Sequence, residues 1–338
     1  MLFRHLQVLI ITPLCKCYAQ KKTASNILAL VTNYQRWSSL RFSDNNYIKV
    51  FTISILIFLL AININGQNQP KNKRIQELSA YNFGSLGKLA PLAQLSVLKK
   101  SGYKGIILNS QTETDTINLD VFLVALKKEK HFKIHAVMVR YDFTDPAQKR
   151  EGWKIIVDKI ANKGIELWVI FGKKSNGITD SFIETKLKEV VKYAKEKQVK
   201  VILYPHSNCY IASAEEALPF VQKMNDPNLQ LAVHLCHEIR AGNGARLSKV
   251  FENVKPYIGA VTLAGTDSVA DFSKPKLMDS STIKPIGQGN FNMANFIEPL
   301  RKSGFKGMVG FINFKIDDDP KSYLKNSMLE WKRLTKNH

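Results

Sequence analysis

From residue 77 onward the chain repeats one pattern, in which a short apolar run alternates with a longer segment of helical periodicity. The apolar runs lie at 77–83, 104–109, 132–141, 165–172, 200–205, 230–236, 258–265 and 307–314. Continuous rather than alternating apolar runs are typical of strands that are covered on both faces. The pattern therefore predicts eight parallel strands, each followed by a helix.

Successive βα units of this size favour a closed (β/α)8 TIM barrel, an α/β fold, over an open doubly wound sheet. No G-x-G-x-x-G motif follows the first run, as a dinucleotide-binding sheet would need. Capping boxes pair Ser181 with Glu184 and Ser213 with Glu216, and they predict helix starts at both serines. We expect the barrel to occupy residues 77–338.

A separate apolar run at 50–62 lies ahead of the barrel, preceded by Arg41 and Lys49 and followed by polar residues. This order predicts a secretory signal peptide over 48–66, because the run is short for a membrane span. A single membrane anchor is the alternative. We expect 1–47 to be a disordered leader or an over-long start and 67–76 to be a linker. The mature protein is then expected to be periplasmic or secreted, with membrane contact only through an uncleaved signal.

The formal net charge of +21 raises the question of a nucleic-acid partner. The lysines are, however, interleaved with glutamates on helical segments such as 186–200, which indicates a solvated helix face and no nucleic-acid partner. Two of the four cysteines, Cys209 and Cys236, follow predicted strands. They are expected to form either a disulfide or two unpaired, partly buried thiols.

Three of the seven histidines fall at or just after the ends of predicted strands 5 and 6: His206, His234 and His237. The active site of a TIM barrel lies at the carboxyl ends of its strands. Imidazoles at this position can move protons, bind a metal or hydrogen-bond to sugar hydroxyls. We therefore predict His206 and His237 as catalytic residues and all three as candidate metal ligands. His135, which comes early in strand 3, is expected to be structural.

Four further polar residues are predicted to contact substrate at the same rim. Asn109 ends strand 2, and Asn313 ends strand 8. Arg240 follows strand 6 and suits an anionic group. Gln288 lies between two glycines in the long loop after strand 7, which would let the loop fold over a ligand and point this side chain towards it.

Several segments, in this order along the chain, carry a family resemblance: SGYKGIIL, VKVILYPHSN, NLQLAVHLCHEIRAGNG, IGAVTLAGTD, IKPIGQGNFNMANFIEPLRKSGFKGMVGF and YLKNSMLEWKRL. Over about 77–335 the chain resembles the xylose isomerase-like TIM barrels, the sugar phosphate isomerases/epimerases. The resemblance implies a barrel that acts on sugars or polyols through one divalent metal. Its ligands would be Glu, Asp, His and Glu on strands 5 to 8, and two glutamates would shuttle the proton.

The chain departs from the metal set that this resemblance implies. The matching positions hold Tyr204, His234, Thr262 and Asn313, so no carboxylate remains among them. A hard Mg²⁺ or Mn²⁺ site needs carboxylate oxygens. The histidine-rich rim with Gln288 suits a softer ion better, and the cofactor expected is one divalent metal, zinc or manganese, or none.

The leading functional hypothesis is an exported sugar isomerase or epimerase, or a related lyase, that removes a proton next to a carbonyl of a small carbohydrate. His206 or His237 would be the base, with the other imidazoles stabilising the oxyanion. The alternative is a catalytically inactive barrel that binds a sugar or serves as a scaffold. An endonuclease IV-like DNA repair enzyme would need a three-zinc cluster rich in His and Glu, which this chain cannot supply.

Overall fold

The computed structural model describes residues 77–110, 113–143, 145, 151–267 and 283–336. The predicted leader, signal segment and linker (1–47, 48–66 and 67–76) lie outside them. Eight strands form within the described residues: β1 (Leu78–Tyr81), β2 (Gly105–Asn109), β3 (Lys133–Tyr141), β4 (Glu166–Phe171), β5 (Val201–Leu203), β6 (Leu229–His234), β7 (Ile258–Leu263) and β8 (Val309–Phe311). Seven of the predicted apolar runs contain one strand each, and β6 begins one residue before the run at 230–236.

The described helices lie between and after the strands: α1 (Gly84–Gly87), α2 (Pro91–Lys100), α3 (Glu113–Leu126), α4 (Trp153–Ile160), α5 (Asp180–Glu196), α6 (Ala214–Met224), α7 (Leu235–Arg240), α8 (Leu247–Val254), α9 (Ala294–Ser303) and α10 (Pro320–Lys336). A 3₁₀ turn (Lys255–Tyr257) precedes β7. In the part of the chain that the structure describes, no helix combines the length and apolar character that a membrane crossing requires.

The strands pair in sequence order and all in parallel, and β8 closes on β1. The predicted (β/α)8 TIM barrel is therefore confirmed. Every residue of β1, β5 and β8 is buried, so these strands are covered on both faces. This two-sided burial explains why the runs are continuously apolar.

Bulky side chains fill the centre of the barrel near its carboxyl end. The register pairs Thr262 of β7 with His234 of β6 and with Gly310 of β8. A Cβ atom at Gly310 would lie 2.8 Å from side-chain carbons of both Thr262 and Ile107. Glycine at this position thus leaves room for the side chains that converge at the barrel axis.

One of the two predicted capping boxes is confirmed, and the other is wrong. Ser213 Oγ accepts a hydrogen bond from the Glu216 amide at 3.3 Å, so α6 begins as predicted. The cap of α5 is instead Thr179, whose Oγ1 accepts from the Phe182 amide at 3.3 Å. Ser181 already lies inside α5, because the threonine offers the same hydroxyl two residues earlier.

Candidate functional site

The three rim histidines converge at the carboxyl ends of β5 and β6. His206 follows β5 after Tyr204 and Pro205, while His234 is the last residue of β6. His237 lies one helical turn further on, because α7 begins directly after His234 without an intervening loop. The ring centroids of His206 and His237 are 4.1 Å apart, as are those of His234 and His237. The three imidazoles therefore form one cluster, which we call the histidine cluster.

His206 lies on the solvent side of the cluster, since it is half-buried whereas the other two rings are buried. Its Nδ1 is 2.8 Å from the backbone carbonyl oxygen of Ser207. A carbonyl can only accept a hydrogen bond, so Nδ1 carries a proton and donates it. In the neutral ring the lone pair is therefore on Nε2, the nitrogen that acts as a base.

His237 is held by a hydrogen-bonded pair of side chains from the β5 loop and α7. Arg240 donates from a terminal nitrogen to Ser207 Oγ at 3.0 Å, and Ser207 Oγ lies 3.1 Å from His237 Nδ1. With one lone pair of the hydroxyl taken by the guanidinium, the hydroxyl can donate its proton to Nδ1. Neutral His237 then carries its own proton on Nε2. We refer to this arrangement as the Arg240–Ser207–His237 relay.

Burial keeps the inner imidazoles of the cluster uncharged. It lowers the pKa of His237 well below its ordinary value, and the neighbouring His234, His206 and Arg240 lower it further. Burial likewise lowers the pKa of His234 to about 3, and nearby His206 adds to the effect. Both rings are thus neutral at physiological pH, and each can accept a proton or act as a ligand.

Cys236 also belongs to the cluster, although it is not among the site residues predicted from the sequence. Its Sγ lies 3.1 Å from His234 Nε2 and 3.7 Å from His237 Nδ1. Cys209 and Cys236 form no disulfide with each other, so they are the two buried thiols of the alternatives above. The short spacing His-x-Cys-His is the signal that could have identified this residue, since it places a thiol between two candidate imidazoles at the end of β6.

Glu238 anchors the helix that carries these residues. Its side chain is 1% exposed, accepts from the Ala214 amide at 2.8 Å, and accepts from Asn243 Nδ2 at 2.6 Å. Burial raises the pKa of this carboxyl to about 7. Since Ala214 is the first residue of α6, the carboxyl ties α7 to the start of α6 and fixes His237 in place.

A chain of hydroxyl groups crosses the barrel beneath the cluster. Tyr81 donates to the Tyr204 hydroxyl at 2.9 Å, and the Tyr204 hydroxyl lies 3.0 Å from Thr262 Oγ1. Tyr204 also stacks on Trp168, with ring centroids 5.4 Å apart. Burial raises the pKa of both phenols, so the tyrosines stay protonated. We call this the hydroxyl chain.

The positions at which the resemblance places metal ligands do not fit a hard divalent ion. Tyr204 and Thr262 hydrogen-bond to each other in the hydroxyl chain. Asn313 donates from Nδ2 to the Phe83 carbonyl at 3.1 Å and to the Tyr323 hydroxyl at 2.8 Å. With His234 as the fourth residue, the set offers no carboxylate oxygen, so Mg²⁺ and Mn²⁺ lack the ligands they require.

The predicted substrate contacts are distributed unevenly around the rim. Arg240 lies at the histidine cluster, as described above. Asn109 lies at the end of β2, and its backbone amide donates to Asn82 Oδ1 at 2.9 Å. The side-chain Oδ1 of Asn109 is buried and has no hydrogen-bond partner in the described part of the chain. The side-chain Oδ1 of Asn313 is likewise buried and lacks a hydrogen-bond partner among the described residues. Gln288 is exposed, and no hydrogen bond found among the described residues joins it to the cluster.

A groove with a volume of about 580 Å³ lies elsewhere on the molecule. It is lined by residues of α8, α9 and α10 and of the segment before α8, and the histidines are not among them. The candidate site therefore depends on the convergence of side chains and not on the size of a cavity.

Comparison with known proteins agrees with this architecture. A family model described as xylose isomerase-like TIM barrel matches residues 95–332. An uncharacterized protein of Methanocaldococcus jannaschii is 27% identical over 160 residues, which cover 46% of this chain and 50% of that protein. The match thus spans about half the length of that curated relative.

Two solved structures illustrate the likeness in three dimensions. The IOLI protein with a bound zinc atom has a TM-score of 0.60 at 18% identity, covering 77% of this chain and 96% of its own. The apo form of 3-keto-D-glucoside 4-epimerase from E. coli has a TM-score of 0.59 at 15% identity, covering 76% and 99%. At these identities the likeness shows the fold. Because the family model matches most of the chain and the barrel closes as that fold requires, the chain belongs to the xylose isomerase-like TIM barrel family.

Proposed function

We propose that this protein is an exported, carbohydrate-acting enzyme that removes a proton from the carbon next to a carbonyl group. The observation that carries the proposal is the convergence of three imidazoles at the rim where barrel enzymes hold their catalytic groups: the ring centroids of His206 and His234 each lie 4.1 Å from that of His237. Isomerases, epimerases and lyases that act on oxidised sugars all begin with this step. The E. coli neighbour, a 3-keto-D-glucoside 4-epimerase, supports a substrate of this class.

His206 is the proposed general base. Its Nδ1 proton is fixed by the Ser207 carbonyl, which leaves the Nε2 lone pair to take the substrate proton. His237, with its proton on Nε2, would donate a hydrogen bond to the enediolate oxygen that develops on the carbonyl. The guanidinium of Arg240 adds positive charge beside that oxygen and suits a sugar carboxylate.

Aromatic residues at the opposite part of the rim suit a sugar as the ligand. Phe83 follows β1, and Phe314 follows β8; their rings pack edge to face with centroids 5.5 Å apart. Phe314 is 37% exposed, so an aromatic surface remains accessible at the mouth of the barrel. The C–H face of a sugar would pack against such a surface while its hydroxyls reach polar residues.

Solvent isotope exchange tests the proposed chemistry without knowledge of the product. The purified protein is incubated in D₂O with aldoses, ketoses, 3-keto-glucosides and uronates, and loss of C–H signals next to the carbonyl is followed by NMR. We expect exchange with at least one sugar class and its loss in His206→Gln and His237→Gln. The control is His131→Gln, an exposed histidine before β3, which should exchange like the unmodified protein. Exchange that survives both cluster substitutions would contradict the assignment.

The second candidate is a sugar-binding barrel without catalysis. It is favoured by the hydroxyl chain, because Tyr204 and Thr262 occupy positions at which the resemblance implies metal ligands and satisfy each other's hydrogen bonds. Calorimetric binding of a sugar without any isotope exchange would favour this candidate over the enzyme.

Export remains part of the proposal and rests on the apolar run at 50–62 with its charged and polar flanks. Expression of the full chain in a bacterium with a periplasm, followed by fractionation and N-terminal sequencing, tests it. Cleavage shortly after the run is expected, whereas an uncleaved chain in the membrane fraction would identify an anchor instead.

A further inference from the structure

A thiol and two imidazoles come together beside the barrel axis at His234, Cys236 and His237. One donor atom from each of these residues lies within 4.8 Å of the others. The Sγ atom of Cys236 is 3.1 Å from His234 Nε2 and 3.7 Å from His237 Nδ1. All three side chains are at most 3% exposed, so water does not compete strongly for these donors.

These separations match those of ligands around a tetrahedral zinc ion. Zinc–sulfur bonds of about 2.3 Å and zinc–nitrogen bonds of about 2.0–2.1 Å, at tetrahedral angles, place neighbouring ligand atoms about 3.3–3.6 Å apart. The two distances from Cys236 Sγ bracket this range. Only small side-chain shifts would be needed for the three residues to surround an ion. The fold thus holds these ligands close to the geometry that zinc requires.

The hydrogen bonding of the two imidazoles leaves them able to act as ligands. His234 Nδ1 is buried and makes no hydrogen bond of normal geometry within the described ranges. The ring can therefore carry its proton on Nδ1 and present the Nε2 lone pair beside Cys236 Sγ. For His237, a metal at Nδ1 would replace the Ser207 hydroxyl, which keeps its bond to Arg240.

We infer that His234, Cys236 and His237 form a zinc site, which shares His234 with the ligand positions that the family resemblance implies and takes its other two ligands from α7. Binding would replace the thiol proton: Zn²⁺ forms a bond to the Cys236 sulfur, and one proton leaves to solvent. Thiolate and imidazole ligands select zinc over Mg²⁺ and Mn²⁺, which prefer oxygen. The hydroxyl chain occupies two of the implied positions, Tyr204 and Thr262, so the proposed site combines the end of β6 with two residues of α7.

Three protein ligands leave a fourth coordination position, and such sites are typical of zinc that meets a substrate or water. His206 and Arg240, both half-buried, lie on the side of the cluster that faces solvent. The inference stands on the geometry of this set and does not require the proposed proton abstraction.

Metal titration of the full chain tests the inference. After treatment with a chelator, Zn²⁺ is added and followed by calorimetry and elemental analysis, and Co²⁺ is added to report thiolate ligation through its charge-transfer absorption. We expect one zinc per chain, release of one proton, and a cobalt–thiolate band. Cys236→Ser should remove the band and weaken zinc binding at least about 100-fold. Cys209→Ser changes the other buried cysteine and should retain both properties.

The outcomes separate this inference from the proposed function. Absence of stoichiometric zinc, cobalt binding without a thiolate band, or equal zinc affinity in Cys236→Ser would overturn the site. The cobalt spectrum of the unmodified protein answers the question even if Cys236→Ser does not fold. His206-dependent isotope exchange in a protein that binds no zinc would refute the site alone, whereas bound zinc without exchange would refute the proposed function alone.

Discussion

The hydroxyl of Tyr204 lies 3.0 Å from Thr262 Oγ1, so the ends of β5 and β7 are joined by a hydrogen bond where the family resemblance implies two metal ligands. The Tyr81 hydroxyl donates to the same tyrosine from β1. These two hydrogen bonds connect β1, β5 and β7 and stabilise the barrel at its centre. In this chain, two positions at which the resemblance implies metal ligands therefore hold side chains that stabilise the fold.

The first prediction concerns the hydroxyl of Tyr204, which makes both hydrogen bonds. Tyr204→Phe leaves the buried Tyr81 and Thr262 hydroxyls without their partner and should lower the free energy of unfolding by about 1–3 kcal/mol. Urea unfolding measures the change. Tyr103→Phe is the control, because Tyr103 makes one neutral bond, to the Leu324 carbonyl at 3.2 Å, and should cost about 1 kcal/mol or less. A larger effect at Tyr103 than at Tyr204 would contradict the role of the hydroxyl chain.

The second prediction concerns the Arg240–Ser207–His237 relay. Ser207→Ala and Arg240→Met should each slow isotope exchange by about 10-fold to 100-fold, because either change frees the His237 ring to turn or change tautomer. The double variant should be no slower than the slower single variant, since both substitutions break one relay. Rates of exchange for all four proteins give the double-mutant cycle. Effects that multiply would show that the two residues act independently.

The third prediction concerns pH and the buried His135. Burial lowers its pKa to about 3 from an ordinary 6.5, even though Glu166 Oε2 lies 3.8 Å from Nε2. Below pH 6.5, His135 therefore binds a proton in the unfolded chain, whereas in the folded chain it stays neutral until the pH approaches 3. The free energy of unfolding should fall as pH drops from 6.5 towards 3, by up to about 1.4 kcal/mol per pH unit for this residue.

Urea unfolding of the unmodified protein and of His135→Leu, at several pH values between 7 and 4, measures this contribution. The leucine variant should have a shallower slope by about that amount, whatever its absolute stability. An ionic pair between His135 and Glu166 would give the opposite result, because a charged histidine stabilised in the fold would make the variant's slope steeper.

The fourth prediction concerns helix starts. Ser213→Ala removes the side-chain cap of α6 and should cost about 1 kcal/mol of unfolding free energy. Ser181→Ala is matched to it in chemistry but lies inside α5, on the exposed face, and should change the stability by less than about 0.5 kcal/mol. Thr179→Ala, at the observed cap of α5, should resemble Ser213→Ala. Thermal or urea unfolding of the three variants distinguishes these positions.

The fold could be predicted from the sequence because a strand buried on both faces leaves a continuous apolar run. Strand ends were less well defined, and β5 stops at Leu203 although its run continues to Pro205. Proline has no amide hydrogen for the sheet, which limits the strand there. The predicted run at 230–236 also included Cys236, but α7 begins at Leu235. An apolar run alone does not distinguish a strand from a buried helical turn.

The candidate site was predictable where it depends on the topology of the barrel. Strand ends 5 and 6 are neighbours in such a barrel, so the approach of His206 to His237 followed from their positions. The hydroxyl chain was not predictable, because it joins Tyr81, Tyr204 and Thr262 across the axis and depends on how side chains of three distant strands fill one space. Cys236 was missed because a lone thiol carries little information until its neighbours are known.

Since β6 passes into α7 without a loop, the chain itself sets the spacing of His234, Cys236 and His237, and Glu238 fastens this segment to the preceding helix, α6. Exchange of other rim loops between relatives should therefore leave these three residues in register. Directed evolution towards new substrates would then change the other loops at the barrel mouth, while the segment from His234 to Glu238 is kept from variant to variant.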